Sequence, residues 1–539
     1  MIVDTKLIRE FNVLRLIAAV GLLCAIWSAP AIAQVTAFKQ AIAETAADDS
    51  DLADFYRANG YAPLWTGAGD QDRKRRVALM RALSAADIHG LSPARYKVAS
   101  LRQQMETART TRDLGLVEVA LSKVFLQYAR DVQTGTLVPS RVDGGLVRQV
   151  PYRDRGRYLT DLARSGTPRD FMRSLPPQSD QYRALMKEKL RLEQMLERGG
   201  WGPTIAVGSV KPGESGASVV ALRNRLITMG YMTRSASQSY GPAMQDAVRR
   251  FQAAHGLAED GVAGKGTISE INVSVQQRLK SVIVAMERER WINMDLGDRH
   301  VLVNQADFTA KIIDDGRVTF RTRSVIGKNT SDRRSPEFSD VMEFMVINPS
   351  WYVPRSIVTK EYLPKLRNNP NAVSHIEITD SRGRRVNRAN ANFSQYSARN
   401  FPYAMRQPPS SRNALGLVKF MFPNKYNIYL HDTPSKSLFD REVRAFSHGC
   451  IRLADPFDFA YALLARQSDD PKGTFQRILK SGRETKVTLD QPVPVHLIYR
   501  TAVIDAKGRA EYRRDVYGRD AKIWNALENA GVTLGAVQG

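Results

Sequence analysis

The stretch Ser447-His448-Gly449-Cys450-Ile451-Arg452 carries the most information about this chain. The sequence has two cysteines, and the other, Cys24, lies in an apolar N-terminal run with the features of a removable export signal. An exported chain with one remaining cysteine cannot close an internal disulfide, so its thiol stays free in an oxidising compartment. The neighbouring histidine and arginine favour a reactive thiol. The stretch therefore predicts an enzyme site centred on Cys450.

The first 33 residues predict an export signal peptide. Basic residues precede an apolar run from Leu16 to Trp27, and Ala31-Ile32-Ala33 supplies the small-x-small pattern of a cleavage site. The run is shorter than the about 20 apolar residues of a typical transmembrane helix. We therefore expect an exported protein, with membrane contact only if the N-terminal segment is not cleaved.

The charge of the chain indicates anionic partners. Its 79 Lys and Arg residues against 55 Asp and Glu residues give a formal net charge of +24. Such a charge favours nucleic acid, anionic lipid or an anionic wall polymer as partner. Export argues against nucleic acid, and the sequence shows no recognisable nucleic-acid-binding motif. The charge thus favours an anionic envelope component without identifying it.

The length of 539 residues predicts several domains, and the hydrophobic periodicity divides them. Residues 38–200 show helical spacing and predict a helical scaffold domain. Residues 209–276 predict a compact unit of three helices. In that unit, Thr267 and Glu270 have the spacing of a capping box for the third helix.

Residues 280–520 predict a mostly β, β-sandwich-like domain, because short runs rich in β-branched and aromatic residues replace the helical period. The segment 361–412 interrupts these runs and is rich in Asn, Pro and Arg. Its composition predicts a mobile lid that cannot build a core of its own. The predicted fold class is therefore α+β and multidomain.

The thiol needs a base, because a cysteine of ordinary pKa is only a few per cent thiolate at neutral pH. His431 ends an apolar run, and it can reach the sulfur across a sheet if that run pairs with the Cys450 segment. His448 shares the direction of the cysteine without necessarily reaching the sulfur. Asp432, the hydroxyl of Thr433 or a backbone carbonyl are candidates to hold the second ring nitrogen of His431.

The chain resembles the L,D-transpeptidases, which have the YkuD-like catalytic domain, in their active-site motif. Here the motif consists of His431, fifteen intervening residues and then 447–452. Asn348-Pro349-Ser350-Trp351-Tyr352 and Asn413-Ala414-Leu415-Gly416 resemble family segments that line the site. The unit 209–276 resembles the peptidoglycan-binding domain type 1. With the scaffold and the insertion, the chain resembles the large proteobacterial members, which implies a periplasmic location.

The resemblance implies acyl transfer on peptidoglycan. Cys450 would attack a tetrapeptide stem at its diaminopimelate residue and release D-alanine, and the amine of a second stem would then form a 3→3 cross-link. His431 would be the base, and His448 with the N–H groups of Gly449 and Cys450 would hold the oxyanion. Ser447 and Arg452 would orient the loop or a substrate carboxylate. The substrate-lining residues implied by the resemblance are Asn348, Trp351, Tyr352, Asn413 and Gly416.

The same resemblance implies no cofactor, and one cysteine with scattered histidines does not give a zinc-ligand spacing, so no metal is expected. It also implies that a carbapenem can acylate the thiol. Other cysteine hydrolases of wall peptides place the nucleophile before the histidine, sortases have a longer gap, and a purely wall-binding protein would use 209–276 alone. The acceptor stays open: a second stem, a free D-amino acid, a lysine of an envelope protein, or water.

Overall fold

The computed structural model describes residues 36–534. The predicted export segment, with Cys24, lies outside these residues and stays a prediction. Within the described part, no helix is long and apolar enough to cross a bilayer. The chain divides into two compact units: one contains residues up to 81 with 97–127 and 154–171, and the other contains 82–96, 128–153 and everything from 172 onward.

The N-terminal part is helical, as predicted. Its helices are α1 (Ala37–Ala46), α2 (Ser50–Ala58), α3 (Asp70–Ser84), α4 (Val98–Thr107), α5 (Thr111–Thr134), α6 (Pro139–Val142), α7 (Arg155–Arg164), α8 (Pro168–Ser174) and α9 (Asp180–Glu197). In the first unit, the buried carboxylate of Glu118 accepts hydrogen bonds from the Leu64 N–H at 2.7 Å and the Thr66 N–H at 2.8 Å. The Tyr56 hydroxyl donates to it at 2.8 Å. Because a buried charge needs such partners, Glu118 fixes the turn after α2.

The three-helix unit has α10 (Ala217–Thr228), α11 (Pro242–Ala254) and α12 (Lys265–Ile271), and α13 (Val275–Trp291) follows it. The capping box predicted for its third helix is wrong. That helix begins after Gly264, so Thr267 lies inside its first turn and is buried. There the Thr267 hydroxyl accepts a hydrogen bond from Gln252 at 3.1 Å, and Glu270 pairs with Arg278 at 2.6 Å.

The β-rich part contains a nine-stranded sheet in the order β10-β3-β11-β9-β8-β4-β12-β1-β2, and a further β2–β3 pairing closes it on itself. Its strands are β1 (Arg299–Asn304), β2 (Thr309–Asp314), β3 (Arg317–Gly327), β4 (Phe338–Ile347), β8 (Val418–Met421), β9 (Leu430–His431), β10 (Ala445–Ser447), β11 (Ile451–Leu453) and β12 (Thr485–Ile498). Asp315 and Gly316 join β2 to β3 with φ of 50° and 76°, the left-handed pair that suits a tight hairpin.

The remaining elements cover this sheet or extend it. They are α16 (Pro456–Leu464), α17 (Pro471–Lys480), the hairpin β13 (Ala502–Ile504) with β14 (Ala510–Tyr512), and α18 (Arg519–Asn529). Strand β12 is the longest of the sheet, and its pairing with β4 shifts register between Thr488 and Val493. The fold class is α+β with a helical N-terminal region and a β-rich domain, as predicted.

The insertion has structure and a core of its own, so the prediction that its composition cannot build a core is wrong. Strands β5 (Trp351–Tyr352), β6 (Glu377–Thr379) and β7 (Ala404–Gln407) form a separate sheet in the order β5-β7-β6. Helices α14 (Arg355–Ile357) and α15 (Leu363–Asn368) flank a π-helical turn over Val358–Tyr362. The buried apolar cluster here includes Ile357, Leu363, Leu366, Ile376, Ile378, Phe393, Phe401 and Met405. A role as a lid stays a prediction.

Candidate active site

Two short strands bring the predicted nucleophile and base together. Strands β9 and β11 pair in parallel, with Leu430 opposite Ile451 and His431 opposite Arg452. Cys450 therefore stands just before one strand, and His431 ends the neighbouring strand. Both line a cavity of about 670 Å³. This pairing is the one on which the sequence argument depended.

The Cys450 thiol is partly exposed in this cavity and is the free cysteine of the described residues. Burial raises the pKa of the Cys450 thiol from its ordinary value of 9.0 to about 11, although hydrogen bonds from Tyr429 and the charge of Arg452 act in the opposite direction. Its Sγ lies 3.5 Å from the carbonyl oxygen of Asn427. At neutral pH the group is therefore a thiol rather than a thiolate.

The His431 ring is buried, and its Nδ1 hydrogen-bonds to the backbone carbonyl of Asp432. Of the three predicted orienting groups, the structure thus places a carbonyl at this nitrogen. Burial, together with the charge of Arg452, lowers the pKa of His431 to about 3, so the imidazole is neutral at pH 7. No hydrogen bond joins this ring to the Cys450 sulfur within residues 36–534.

Asp432 and Gly416 fix the backbone next to His431. The Asp432 carboxylate accepts hydrogen bonds from the Leu417 N–H at 2.9 Å and the Thr433 N–H at 2.7 Å, and it pairs with Lys436 at 2.7 Å. Gly416 has a φ of 62°, and a Cβ added there would lie 2.3 Å from the Asp432 Cγ. A glycine is therefore required for this carboxylate to hold the chain after His431. Gly416, predicted to line the site, instead packs against Asp432 next to His431 and does not line the cavity.

The loop before Cys450 is held by its own hydrogen bonds. The Ser447 hydroxyl donates to the Cys450 carbonyl at 2.6 Å and accepts from the Gly449 N–H at 3.0 Å. His448 Nε2 hydrogen-bonds to Glu361 at 2.7 Å. Two of the predicted oxyanion donors, His448 and the Gly449 N–H, are thus engaged, whereas the Cys450 N–H has no protein acceptor in the described part of the chain.

The other predicted lining residues divide into two groups. Trp351 and Tyr352 line the cavity, and Tyr352 is 66% exposed. Asn348 instead donates to the carbonyls of Ile478, Leu479 and Arg483 at 3.0–3.3 Å. The side chain of Asn413 likewise donates to three carbonyls, those of Pro349, Gln407 and Pro408, at 3.0–3.1 Å. Neither asparagine lines the cavity, because both amides are used in hydrogen bonds to backbone carbonyls.

Arg452 lines the same cavity with its guanidinium unpaired. Within residues 36–534 the group makes no hydrogen bond or ion pair, and its Nε is buried without a partner. A buried polar group without a partner is costly, so this one is suited to an anion that enters the cavity.

Three residues at the site were missed by the sequence argument: Tyr429, Glu361 and Arg333. Tyr429 lines the cavity, lowers the pKa of Cys450 and lies two residues before His431, so strand alternation was a signal that could have found it. Glu361 pairs with Arg333 at 2.8 Å as well as with His448. No local pattern marks that pair, since it forms only when the insertion folds.

Comparison with known families agrees with this geometry. Residues 298–488 match the family model of the L,D-transpeptidase catalytic domain, residues 50–188 that of the scaffold domain, and residues 215–271 that described as "Putative peptidoglycan binding domain". The closed sheet with its Cys450 cavity lies in the residues that match the L,D-transpeptidase catalytic domain, and the family resemblance predicted from the sequence is confirmed.

Individual relatives cover parts of the chain. It is 33% identical over 227 residues to a protein of Haemophilus influenzae named "Putative L,D-transpeptidase", which is 41% of this chain and 45% of that protein. It is 41% identical over 68 residues to a zinc D-Ala-D-Ala carboxypeptidase of Streptomyces albus G, which is 12% of this chain and 26% of that protein. The chain thus spans less than half the length of either curated relative.

Solved structures of L,D-transpeptidases from two organisms are also similar. The one from Xylanimonas cellulosilytica has 16% identity and a TM-score of 0.16, with 55% of this chain and 100% of that chain covered. The one from Stackebrandtia nassauensis has 15% identity and a TM-score of 0.20, with 55% and 97% covered.

Proposed function

We propose that this protein is a periplasmic L,D-transpeptidase that forms 3→3 cross-links in peptidoglycan by acyl transfer through Cys450. The observation that carries the proposal is the parallel pairing of β9 with β11, which puts Cys450, His431 and an unpaired Arg452 in one cavity. The catalytic-domain and wall-binding family matches support peptidoglycan as the substrate. The charge of +24 suits an anionic polymer.

In the proposed first step, the Cys450 sulfur attacks the carbonyl that precedes D-alanine in a tetrapeptide stem. Because the pKa of Cys450 is about 11 and that of His431 about 3, both groups start neutral at pH 7. The thiol proton therefore moves to His431 as the carbon–sulfur bond forms. The Asp432 carbonyl keeps the ring proton on Nδ1, so Nε2 is the nitrogen left to take the thiol proton.

The intermediate then collapses to a thioester. The carbon–nitrogen bond to D-alanine breaks, and the proton on His431 passes to the leaving amine. In the second step His431 takes a proton from the incoming amine of another stem, which attacks the thioester and frees the Cys450 thiol. The same chemistry with water would release a shortened stem, so the acceptor decides between cross-linking and hydrolysis.

Two groups support the oxyanion of this intermediate. The Cys450 N–H has no protein acceptor in the described chain, and Tyr429 lines the same cavity. One such donor contributes about 3 kcal/mol to the transition state. The proposal thus assigns Tyr429 the role that the sequence argument gave to His448.

Arg452 is proposed to hold a carboxylate of the donor stem. A guanidinium pairs with a carboxylate through two parallel hydrogen bonds, which would satisfy the unpartnered Nε and orient the stem. Arg452 opposes His431 across the β9–β11 pairing, so a stem held there lies beside the base.

The experiment that tests the acyl-enzyme is an intact-mass measurement. Full-length protein incubated with a disaccharide-tetrapeptide or a carbapenem is expected to gain a covalent adduct on Cys450, and Cys450→Ala is expected to gain none. Arg452→Ala should form the carbapenem adduct but lose most of the tetrapeptide adduct. An adduct that persists in Cys450→Ala would contradict the assignment of the nucleophile.

A further inference from the structure

A second cavity, of about 560 Å³, lies between the three-helix unit and the catalytic sheet. It shares no lining residue with the Cys450 cavity. One wall is the end of α11 with residues 253–259, and the other is β3 with the segment 439–444 that leads into β10. Below, we call it the interdomain cleft.

The wall of the interdomain cleft formed by β3 and the segment 439–444 contains unpaired cations. Arg321 and Arg441 are exposed, and within residues 36–534 their guanidinium groups have no hydrogen bond or ion pair. Arg323 pairs with Asp440 at 3.2 Å, but these side chains are 54% and 75% exposed. Such an exposed pair contributes little and exchanges readily with a ligand carboxylate.

The wall formed by the end of α11 and residues 253–259 contains a negative charge. Glu259 is exposed there and has no partner in the described part of the chain. The other acidic groups of the cleft are already engaged: Asp307 accepts from the Thr309 hydroxyl at 2.7 Å, Asp440 pairs with Arg323, Asp455 accepts from the Thr322 hydroxyl at 2.8 Å, and Glu442 pairs with Arg514 at 3.3 Å. The cleft therefore presents free guanidinium groups on one side and a free carboxylate on the other.

The end of α11 that forms one wall of the cleft is packed against Tyr512 and Arg513. Gly256 has a φ of 64°, and a Cβ there would lie 2.9 Å from the Arg513 Cδ. Arg513 donates to the Ala254 carbonyl at 2.8 Å, and the His255 ring stacks on Tyr512 with centroids 5.7 Å apart. Because this joint is packed and hydrogen-bonded, a ligand would enter a preformed site and lose less free energy in ordering it.

We propose that the interdomain cleft binds a second peptide stem of peptidoglycan, whose carboxylates meet Arg321 and Arg441 and whose free amine meets Glu259. The identity of the polymer rests on the proposed function. The segment 439–444, which lines the cleft, continues through β10 into the loop before Cys450. Because Arg444 is six residues before Cys450, at most about 20 Å of chain joins the two sites. A strand held in the cleft would keep its other stems at high local concentration near the sulfur.

The test measures binding of the full-length Cys450→Ala protein to insoluble peptidoglycan sacculi, since this variant cannot consume them. The pair Arg321→Glu with Arg441→Glu is expected to weaken binding roughly tenfold or more, because two charge-assisted contacts become repulsive. The matched control is Arg317→Glu with Lys472→Glu, which changes the net charge equally at exposed, unpaired positions outside the cleft. Thermal unfolding of each variant shows that it is folded, and Arg321→Gln with Arg441→Gln should give a smaller loss.

Unchanged binding in the cleft variants, or an equal loss in the control pair, would overturn the proposal. A loss seen only on vesicles of anionic phospholipid, and not on sacculi, would assign the cleft to a membrane and overturn it as well. This result can be separated from the proposed catalysis. If sacculus binding depends on the cleft but the wild-type protein is never acylated at Cys450, the cleft proposal holds and the transpeptidase assignment is wrong.

Discussion

His448 and Glu361 form a hydrogen bond of 2.7 Å that joins the loop before Cys450 to the start of the insertion. Arg333 pairs with the same carboxylate at 2.8 Å, and Lys360 pairs with Asp332 at 2.8 Å beside it. One hydrogen bond thus joins the insertion to the loop before Cys450, and two ion pairs join residues 360–361 to Asp332 and Arg333 in the segment after β3. His448 is held at the rim of the cavity rather than at the sulfur, so we expect it to be a positioning residue.

Glu361→Gln should reduce the rate of Cys450 acylation by a tetrapeptide several-fold, because the loop loses the charged partner of His448 and Arg333. Lys360→Gln is the matched control, since it breaks only the neighbouring pair, whose side chains are 59% and 47% exposed. The prediction is checked by the ratio of the two acylation rates, measured by intact-mass spectrometry of samples quenched at successive times. Equal rates in both variants would show that Glu361 does not position the loop.

His431→Ala should lose a factor of about 10² to 10⁴ in acylation rate at pH 7, the usual contribution of a positioned base. The rate should recover only toward pH 11, because that is where Cys450 ionises unaided. His375, exposed on the insertion, gives the control variant His375→Ala. A variant without His431 that acylates at the wild-type rate at pH 7 would remove His431 from the mechanism.

The thiol itself should be unreactive at neutral pH. With a pKa of about 11, its alkylation by iodoacetamide should rise about tenfold per pH unit between pH 7 and 10. Tyr429→Phe should slow alkylation further, since the Tyr429 hydrogen bond lowers the pKa of Cys450. Peptide mapping identifies the alkylated residue. Fast labelling at pH 7 that does not change with pH would indicate a thiolate already formed and contradict the neutral pair.

Buried neutral histidines make the fold sensitive to acid. Burial lowers the pKa of His496 to about 4, below its unfolded value near 6.5. A depressed folded pKa means that the unfolded state binds the proton more tightly, so stability is full above pH 6.5 and falls as the pH drops toward 4. Between pH 7 and 5 this one group should cost roughly 2 kcal/mol.

His496→Gln should therefore lose less stability than the wild type when chemical denaturation is compared at pH 7 and pH 5. The hydrogen bonds of the ring to the Ser339 hydroxyl at 2.8 Å and the Leu296 carbonyl at 3.0 Å make some overall loss expected at both pH values. The difference between the two pH values is the decisive quantity. An unchanged difference would show that His496 is not the group that titrates.

The proximity of Cys450 and His431 could be predicted from sequence because it depends on local rules. A lone thiol, a histidine at a strand end and a glycine beside the nucleophile are local signals, and pairing of β9 with β11 brings them together. Gly449 has a φ of 120°, so the glycine of the motif is also a backbone requirement.

What the sequence did not show depends on long-range contacts. The core of the insertion comes from single apolar residues scattered among polar ones, such as Ile378, Phe393 and Met405, so composition hid it. Asn348 and Asn413 lie in segments that resemble family segments lining the site, yet their amides donate to backbone carbonyls that no local pattern marks.

Mass spectrometry of the products tests the central claim most directly. Full-length protein is incubated with a disaccharide-tetrapeptide, and the wild type and Cys450→Ala are compared. The account predicts a dimer with the mass of two substrates less one D-alanine, and fragmentation should place the new bond between the two diamino acid residues. Cys450→Ala should give no dimer. Shortened monomer without dimer would identify a hydrolase instead, and dimer formation that survives Cys450→Ala would contradict acyl transfer through this thiol.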